Sequence, residues 1–331
     1  SFLDKGDFSG LVTIVAGRNK ILSFNCMGYR DLSKKLKMEK NTLFWIASQS
    51  KPIAATAVMM LVEEGKLSLD EPITTYLPEL KDLKVDQEYL KDSQKEYSGT
   101  PAITLRRLLS HTSGMKWVGS IQEKVGKIDI IPLNSSVYVS AQTSLCAVPG
   151  DKFSYSNQGV NTAAAVIERI SGMPYEKFLE QRIFKPLGMK NTTFWPDAKQ
   201  QKNMAISYEK VNGSLREARI DQLQYPLNDK HKRYPEAAGG LFSTPEDLVK
   251  FYRMIANGGI YKGKRFLSAS SVAEMGGKQT GKNVETSYGL GWAVSEDEMS
   301  HGGSYGTDTR VNKKSGLVTL YFVQERDLDE E

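Results

Sequence analysis

The sequence predicts an α+β fold: an antiparallel sheet flanked by helices, built from both chain ends, with a mostly helical domain inserted between them. Three observations carry this. Alternating, β-branched segments cluster at residues 8–31 and again at 289–323. The stretch from Trp45 to Gly65 reads as a helix that is apolar nearly all round and therefore buried in a core. Between these lie helical and irregular segments with few strand signals. The economical division is an α/β domain from 1–75 plus 236–331 and a mostly helical domain over 76–235. At 331 residues the chain is long enough for a sizeable core and two packing units.

In order, the strands predicted at 11–16 and 20–27 flank Gly17-Arg18-Asn19 as a hairpin. Residues 43–65 form the apolar helix, in which Ile53, Ala54, Ala57, Val58, Met60, Leu61 and Val62 leave no polar stripe. Residues 78–100 are charged and turn-rich, a surface excursion. A short helix over 104–109 ends in the turn Ser110-His111-Thr112-Ser113-Gly114, and 116–147 shows no readable period. After the turn at Pro149-Gly150, an extended entry leads to an apolar helix at 158–171, and Pro174 opens another to Ile183. Residues 190–236 look irregular apart from a small hairpin at Asn212-Gly213. Ser243-Thr244-Pro245-Glu246-Asp247 has the cap, the early proline and the first-turn acids of a helix start, stopped at Asn257-Gly258-Gly259. A short helix near 268–275 precedes strands at 289–294, 298–301, 307–312 and 317–323, which read as an antiparallel meander.

Composition narrows the function classes. Hydrophobic residues make up 40% and charged residues 25%, ordinary for a globular protein, and the net charge is a modest +5. Lys and Arg are scattered, with no basic stripe interleaved with aromatics, so nucleic acid is not an expected partner. No apolar run reaches the length of a membrane span. Cys26 and Cys146 cannot make a disulfide framework, and one bridge or two free thiols stay open. The three histidines, His111, His231 and His301, show no metal-ligand spacing, so a zinc site is not expected. The chain opens at Ser1 without Met and stops in an acidic DLDEE, as a processed or trimmed chain would, so localisation is not readable from its ends.

The chemistry starts at the apolar helix, where Ser48 and Lys51 stand three residues apart, on one face. A lysine at the mouth of a buried helix costs free energy unless something uses it. A neutral Lys51, its pKa lowered by burial, accepts the Ser48 proton and makes the hydroxyl a nucleophile for acyl transfer. A helix N-terminus also favours the developing oxyanion. The bland alternative is an N-cap with a snorkelling lysine. Ser113 with Lys116 and Ser207 with Lys210 share the spacing but fall in a turn and an irregular segment. Tyr155-Ser156-Asn157, the only Tyr-x-Asn of the chain, adds a phenol to shuttle a proton and an amide to hold a substrate carbonyl. Otherwise Tyr155 packs and Asn157 caps a helix. His301-Gly302-Gly303 ends a predicted strand whose bare backbone lets substrate lie along it, with the Ser304 N–H as a second oxyanion donor beside that of Ser48. Otherwise it is a turn. Gly302 to Gly306 also fits the G-x-S-x-G elbow, but that motif needs a helix after it and a later histidine. Residues 307–316 are strand-like instead, and His301 is the last histidine.

In this order the three elements resemble the serine β-lactamase and penicillin-binding-protein superfamily, and within it the class C β-lactamase branch with its family VIII carboxylesterases, D-alanyl-D-alanine carboxypeptidases and D-aminopeptidases. Ser48-Gln-Ser-Lys51 resembles the first motif, Tyr155-Ser-Asn157 the second, and His301-Gly-Gly303 the third. Flanking segments at 108–114, 149–157 and 238–248 also match, so the likeness covers most of the chain. The resemblance implies the β-lactamase/transpeptidase-like fold, with the site in the cleft between two domains. It further implies Ser48 as acylated nucleophile, Lys51 as proton acceptor, Tyr155 as general base and then acid, and Asn157 as substrate positioner. It places the His111 turn behind the site and points to an exported protein, periplasmic or secreted. The third motif departs from the Lys-Thr-Gly of class C enzymes: a neutral His301 and a Gly302 without hydroxyl favour a substrate carboxylate poorly, and Lys278-Gln-Thr-Gly281 has the wrong spacing. The expectation is a cofactor-free serine hydrolase, first a carboxylesterase on short acyl esters. The alternatives are a D-alanyl-D-alanine carboxypeptidase or D-aminopeptidase, a class C-like β-lactamase, or a non-hydrolysing penicillin-binding sensor.

Overall fold

A computed structural model describes residues 8–99 and 101–327. The Ser1 opening, Thr100 of the charged excursion and the acidic tail from residue 328 lie outside the described residues.

Strands β1 (Gly10–Ala16) and β2 (Ile21–Asp31) form the predicted hairpin, closed by the Gly17 N–H donating to the Lys20 carbonyl at 2.9 Å. A short β3 (Leu36–Lys37) follows on the edge of β2, and then β4 (Phe44–Trp45). Helix was expected from residue 43, and here the fold differs. Ala47 sits at φ +43°, a left-handed conformation that no α-helix of L-residues contains. The chain therefore makes a tight 3₁₀ turn over Ala47–Gln49 before α1 (Ser50–Glu63) begins. Ser48 stands in that turn, not in the first turn of the α-helix. Every residue of α1 from Ser50 to Leu61 is buried, as an apolar circumference requires.

The middle of the chain supplies α2 (Gln87–Ser93), α3 (Leu105–Leu109), α4 (Ser120–Val125), α5 (Leu133–Ala141) and α6 (Asn157–Ser171). Helices α4 and α5 occupy the stretch without a readable period; six and nine residues long, they are too short to display one. Helix α7 (Tyr175–Leu179) passes through a wider turn at Glu180–Phe184 into α8 (Lys185–Leu187), and α9 (Ala198–Lys202) comes next. Strands β5 (Tyr208–Val211) and β6 (Ser214–Glu217) pair around Asn212 and Gly213 at φ +49° and +73°, the two left-handed residues that a two-residue hairpin turn needs.

Strand β7 (Phe242–Ser243) pairs with β4, and Thr244 caps α10 (Pro245–Ala256) by accepting from the Asp247 N–H. The hairpin β8 (Ile260–Tyr261) and β9 (Lys264–Arg265) leads to α11 (Ala269–Gly276). The predicted strand at 289–294 shrinks to β10 (Ala293–Val294), because Gly291 turns at φ +75° against the backbone of Lys51. The meander then runs through β11 (Glu298–Gly303), β12 (Thr307–Asn312) and β13 (Val318–Phe322), with β14 (Glu325–Asp327) last.

Strands from both chain ends make one antiparallel seven-stranded sheet in the order β10-β11-β12-β13-β1-β2-β3. Helix α10 lies against β1, β12 and β13, while α1 touches both α6 and α11. The final strand β14 leaves this sheet and pairs in parallel with β5. Cys26 and Cys146 are free and half-buried. Among the described residues no helix is long and apolar enough to cross a membrane.

Candidate active site

The turn that carries Ser48 is held from four sides. The Trp45 N–H donates to Gln324 Oε1 at 3.0 Å, its indole Nε1 to the Gly239 carbonyl at 2.7 Å, and the Ile46 N–H to the Leu241 carbonyl at 3.0 Å. Behind it, Gln49 Oε1 accepts from the Tyr252 hydroxyl at 2.8 Å and from Thr309 Oγ1 at 3.0 Å, tying the turn to α10 and β12. A left-handed Ala47 braced this heavily marks a backbone conformation maintained by its surroundings. Ser48 itself stays half-buried.

Lys51, one turn on, is fully buried. Its Nζ donates to Asn157 Oδ1 at 2.8 Å and to the Ala238 carbonyl at 2.9 Å, and lies 3.0 Å from Ser48 Oγ. The first two acceptors have no proton to give, so they fix two N–H bonds of the amine. The third direction, toward Ser48, holds a proton or a lone pair according to charge. Burial pulls Lys51 down to about 7, with Glu236 opposing, so both forms exist near neutrality.

The cap of α6 explains how Asn157 becomes free to do this. Ser156 takes the N-cap position, its Oγ accepting from the Gly159 N–H at 2.8 Å, so Asn157 turns its side chain inward to Lys51. Tyr155, just before, has its phenol beside Ser48, and its ring centroid is 4.6 Å from Lys51 Nζ. Burial raises its phenol to about 12, partly offset by Ser48, which keeps it protonated at neutral pH. Two rings sandwich it: His111 at 4.3 Å and the half-exposed Trp117 stacked at 5.5 Å.

His111 is buried behind the site, at φ +59°, with Nδ1 accepting from the Ser156 N–H at 3.1 Å. Burial and the neighbouring Lys51 hold it neutral, well below the ordinary histidine range. His301 lies on β11 with its ring turned inward, 7% exposed. Its Nε2 is 2.8 Å from the Tyr288 hydroxyl and its Nδ1 2.6 Å from the Gly302 carbonyl. Desolvation drives it down to about 3, so the third motif carries no cation. Gly302 and Gly303 form the strand edge beside the Ser48 turn, and Ser304 opens the turn into β12, closed by the Gly306 N–H donating to the Gly303 carbonyl at 3.2 Å. The element after Ser304 is the strand β12, so the G-x-S-x-G segment lies between two strands and has no elbow helix. Lys278 instead ties its own loop, donating to the Val284 carbonyl at 2.8 Å.

Gly303 is where two segments meet at contact distance. A Cβ there would lie 2.4 Å from the Ile46 carbonyl oxygen and 2.4 Å from Thr307 Oγ1. Gly303→Ala is therefore expected to push β11 off the Ser48 turn, lowering Tm, with a loss of about 1–3 kcal/mol of stability. A scanning-calorimetry trace unchanged from wild type would contradict this packing.

Three members of the cluster escaped sequence reasoning: Asn161, the Ala238 carbonyl and Glu236. Asn161 Nδ2 donates to Glu236 Oε2 at 2.6 Å, and Asn161 Oδ1 accepts from the Ala238 N–H at 3.3 Å. A signal existed. Asn157 and Asn161 lie four apart, on one face of the wholly buried start of α6, and buried polar residues require partners.

Residues 1–331 match the family model described as Beta-lactamase. An uncharacterized protein of Mycobacterium tuberculosis (strain CDC 1551 / Oshkosh) is 31% identical, over 97% of this chain and 87% of its own length. Esterase EstB of Burkholderia gladioli is 28% identical, over 94% and 84% respectively. Among solved structures, EstCE1, a hydrolase with promiscuous acyltransferase activity, superimposes with a TM-score of 0.85 at 23% identity, covering 98% of this chain and 91% of that one.

Proposed function

The chain belongs to the β-lactamase family of serine hydrolases, and from that premise we propose that it is a carboxylesterase on short acyl esters, working through an acyl-enzyme on Ser48. The observation that carries this reading is the buried Lys51 amine, 3.0 Å from Ser48 Oγ, with its other two N–H bonds taken by fixed acceptors. In its neutral form Lys51 aims its lone pair at the hydroxyl, takes the proton as Ser48 Oγ attacks the ester carbonyl, and becomes an ammonium whose three hydrogens all have acceptors. The backbone N–H groups of Ser48 and Ser304 receive the negative charge of the tetrahedral intermediate. Tyr155, a phenol at neutral pH, passes a proton to the departing alkoxide; its raised pKa makes Lys51 the better resting base. Asn157 spends its carbonyl oxygen on Lys51 and keeps its amide N–H bonds for the substrate carbonyl. Water then attacks the acyl-enzyme by the same groups in reverse.

Ester is preferred over a D-alanyl-D-alanine terminus or a β-lactam because both of those carry a carboxylate beside the scissile bond. His301, buried and neutral where class C enzymes place a lysine, offers no charge to it. The half-exposed Trp117 stacked on Tyr155 supplies an apolar wall instead. The same groups would suit a D-alanyl-D-alanine carboxypeptidase, and the two are separated by comparing kcat/KM for p-nitrophenyl butyrate with that for a D-Ala-D-Ala peptide.

The test is covalent. A fluorophosphonate should add to Ser48 and to no other serine, located by peptide mass mapping, and ester turnover should stop in proportion. Adduct on Ser304, or none, would sink the assignment. The rate of labelling should fall as pH drops through about 7, because the protonated Lys51 no longer accepts a proton. A profile flat through that region would remove Lys51 as the base.

A further inference from the structure

Behind Lys51 lies a second, wholly buried layer that the mechanism above leaves unused. Glu236, 2% exposed, closes the turn before β7, its carbonyl accepting from the Gly240 N–H at 2.7 Å and the Gly239 N–H at 3.2 Å. Its side chain reaches Asn161 on α6, and Asn161 in turn holds the N–H of Ala238, the residue whose carbonyl accepts from Lys51. The second carboxyl oxygen, Oε1, is buried without a hydrogen-bond partner, and so is the hydroxyl of Tyr175 on α7. An acid so placed is expensive unless its charge or its proton has a use.

We propose that Glu236 is a positioning residue for Lys51: through Asn161 it braces the Ala238 carbonyl that aims the amine at Ser48, and its ionised carboxylate draws that amine toward the protonated form, so that the pair sets the pH above which Ser48 is activated. The proposal rests on Ser48 and Lys51 being nucleophile and base.

The surroundings single out Glu236. From the other elements packed around Lys51 come His111, His301 and Tyr155; burial keeps both imidazoles neutral and the phenol protonated. Around Glu236 stand Tyr175, held protonated by burial, and Asp129, whose charge is paired with Arg233 at 2.6 Å. Glu236 is thus the group near the amine whose charge changes in the neutral range. Desolvation lifts it to about 8, against Asn161 and Lys51, while Lys51 comes down to about 7. One proton then has two homes of similar affinity, and the pair titrates as a unit. As pH rises, Lys51 becomes fully neutral only when Glu236 keeps its proton or when both have lost theirs.

The experiment tracks the rate of fluorophosphonate addition to Ser48 from mildly acidic to mildly alkaline pH in wild type, Glu236→Gln and Glu236→Ala. The glutamine keeps an acceptor for Asn161 and removes the charge, so its acid limb is expected to become a single-proton curve with its midpoint lower by roughly half a unit to one unit. The alanine also loses the brace, and its plateau rate should drop a further tenfold or so. A Glu236→Gln midpoint superimposed on wild type, even at a lower rate, would overturn the proposal and leave Glu236 a purely structural residue. Should that variant not fold, wild type carrying ¹³C-carboxyl glutamate decides by NMR: one carboxyl should titrate above neutrality and shift its midpoint in Lys51→Met, and its absence overturns the proposal. Failure of wild type to label at Ser48 would instead strike the functional reading itself.

Discussion

Ser48→Ala is expected to reduce ester turnover by roughly 10⁴- to 10⁶-fold and to abolish fluorophosphonate adduct formation, while leaving the fold unchanged. The size comes from the chemistry: without Oγ there is no acyl-enzyme, and the remaining acceleration comes from binding and from the backbone donors alone. Thermal stability should move by less than about 1 kcal/mol, because Ser48 is half-buried and its hydroxyl is not among the bonds that hold the turn. Those bonds come from Trp45, Ile46, Gln49 and Ser50, whose Oγ donates to the Ala47 carbonyl at 2.7 Å. Lys51→Met should cost nearly as much activity, and the double variant little more than either single one, because nucleophile and base act as one unit. Two losses that multiplied would mean that the residues work independently, and turnover retained by Ser48→Ala would move the nucleophile elsewhere.

How much of the molecule is legible in its sequence depends on the range of each signal. Periodicity and turn chemistry are local, so the hairpin of β1 and β2, the helices α6 and α10 and the meander of β11 to β13 are readable within a few residues. Lys51 can be singled out because a lysine in an apolar helix conflicts with its own neighbourhood, and Ser48, Tyr155 and Asn157 because their motif spacing and order match the chemistry such a lysine needs. The features that escape depend on groups distant in sequence. The 3₁₀ turn at Ala47–Gln49 exists because β4 pairs with β7, nearly two hundred residues on, and because Gly303 abuts the Ile46 carbonyl. Glu236 looks like an ordinary surface acid in Arg-Tyr-Pro-Glu until Asn161 and Lys51 close over it. The Ala238 carbonyl has no signature in sequence at all, since every residue carries one.

The segment that delivers Glu236 and Ala238 depends on one buried ion pair, and Arg233→Met is expected to cost about 3–5 kcal/mol of stability. Arg233 Nε donates to Asp129 Oδ2 at 2.6 Å, with the two side chains 1% and 0% exposed. Its Nη1 donates to the Phe194 carbonyl at 2.7 Å and also to the Leu227 carbonyl, while the Tyr234 N–H reaches the Asp129 carbonyl at 2.8 Å. Methionine fills much of the volume but strands the Asp129 carboxylate, which burial already pushes upward even with Arg233 beside it. The pH dependence identifies this cause. An acid whose folded pKa is raised above its unfolded value destabilises the fold above that folded pKa and is relieved as pH falls through it. The deficit of Arg233→Met relative to wild type should therefore shrink on acidification, read as a converging pair of urea midpoints. Adding Asp129→Asn should recover part of the loss at neutral pH, because it removes the stranded charge. A deficit that is constant with pH, or one that the second substitution deepens, would show that Arg233 contributes through packing against Phe242, whose ring centroid is 5.7 Å away, rather than through its charge.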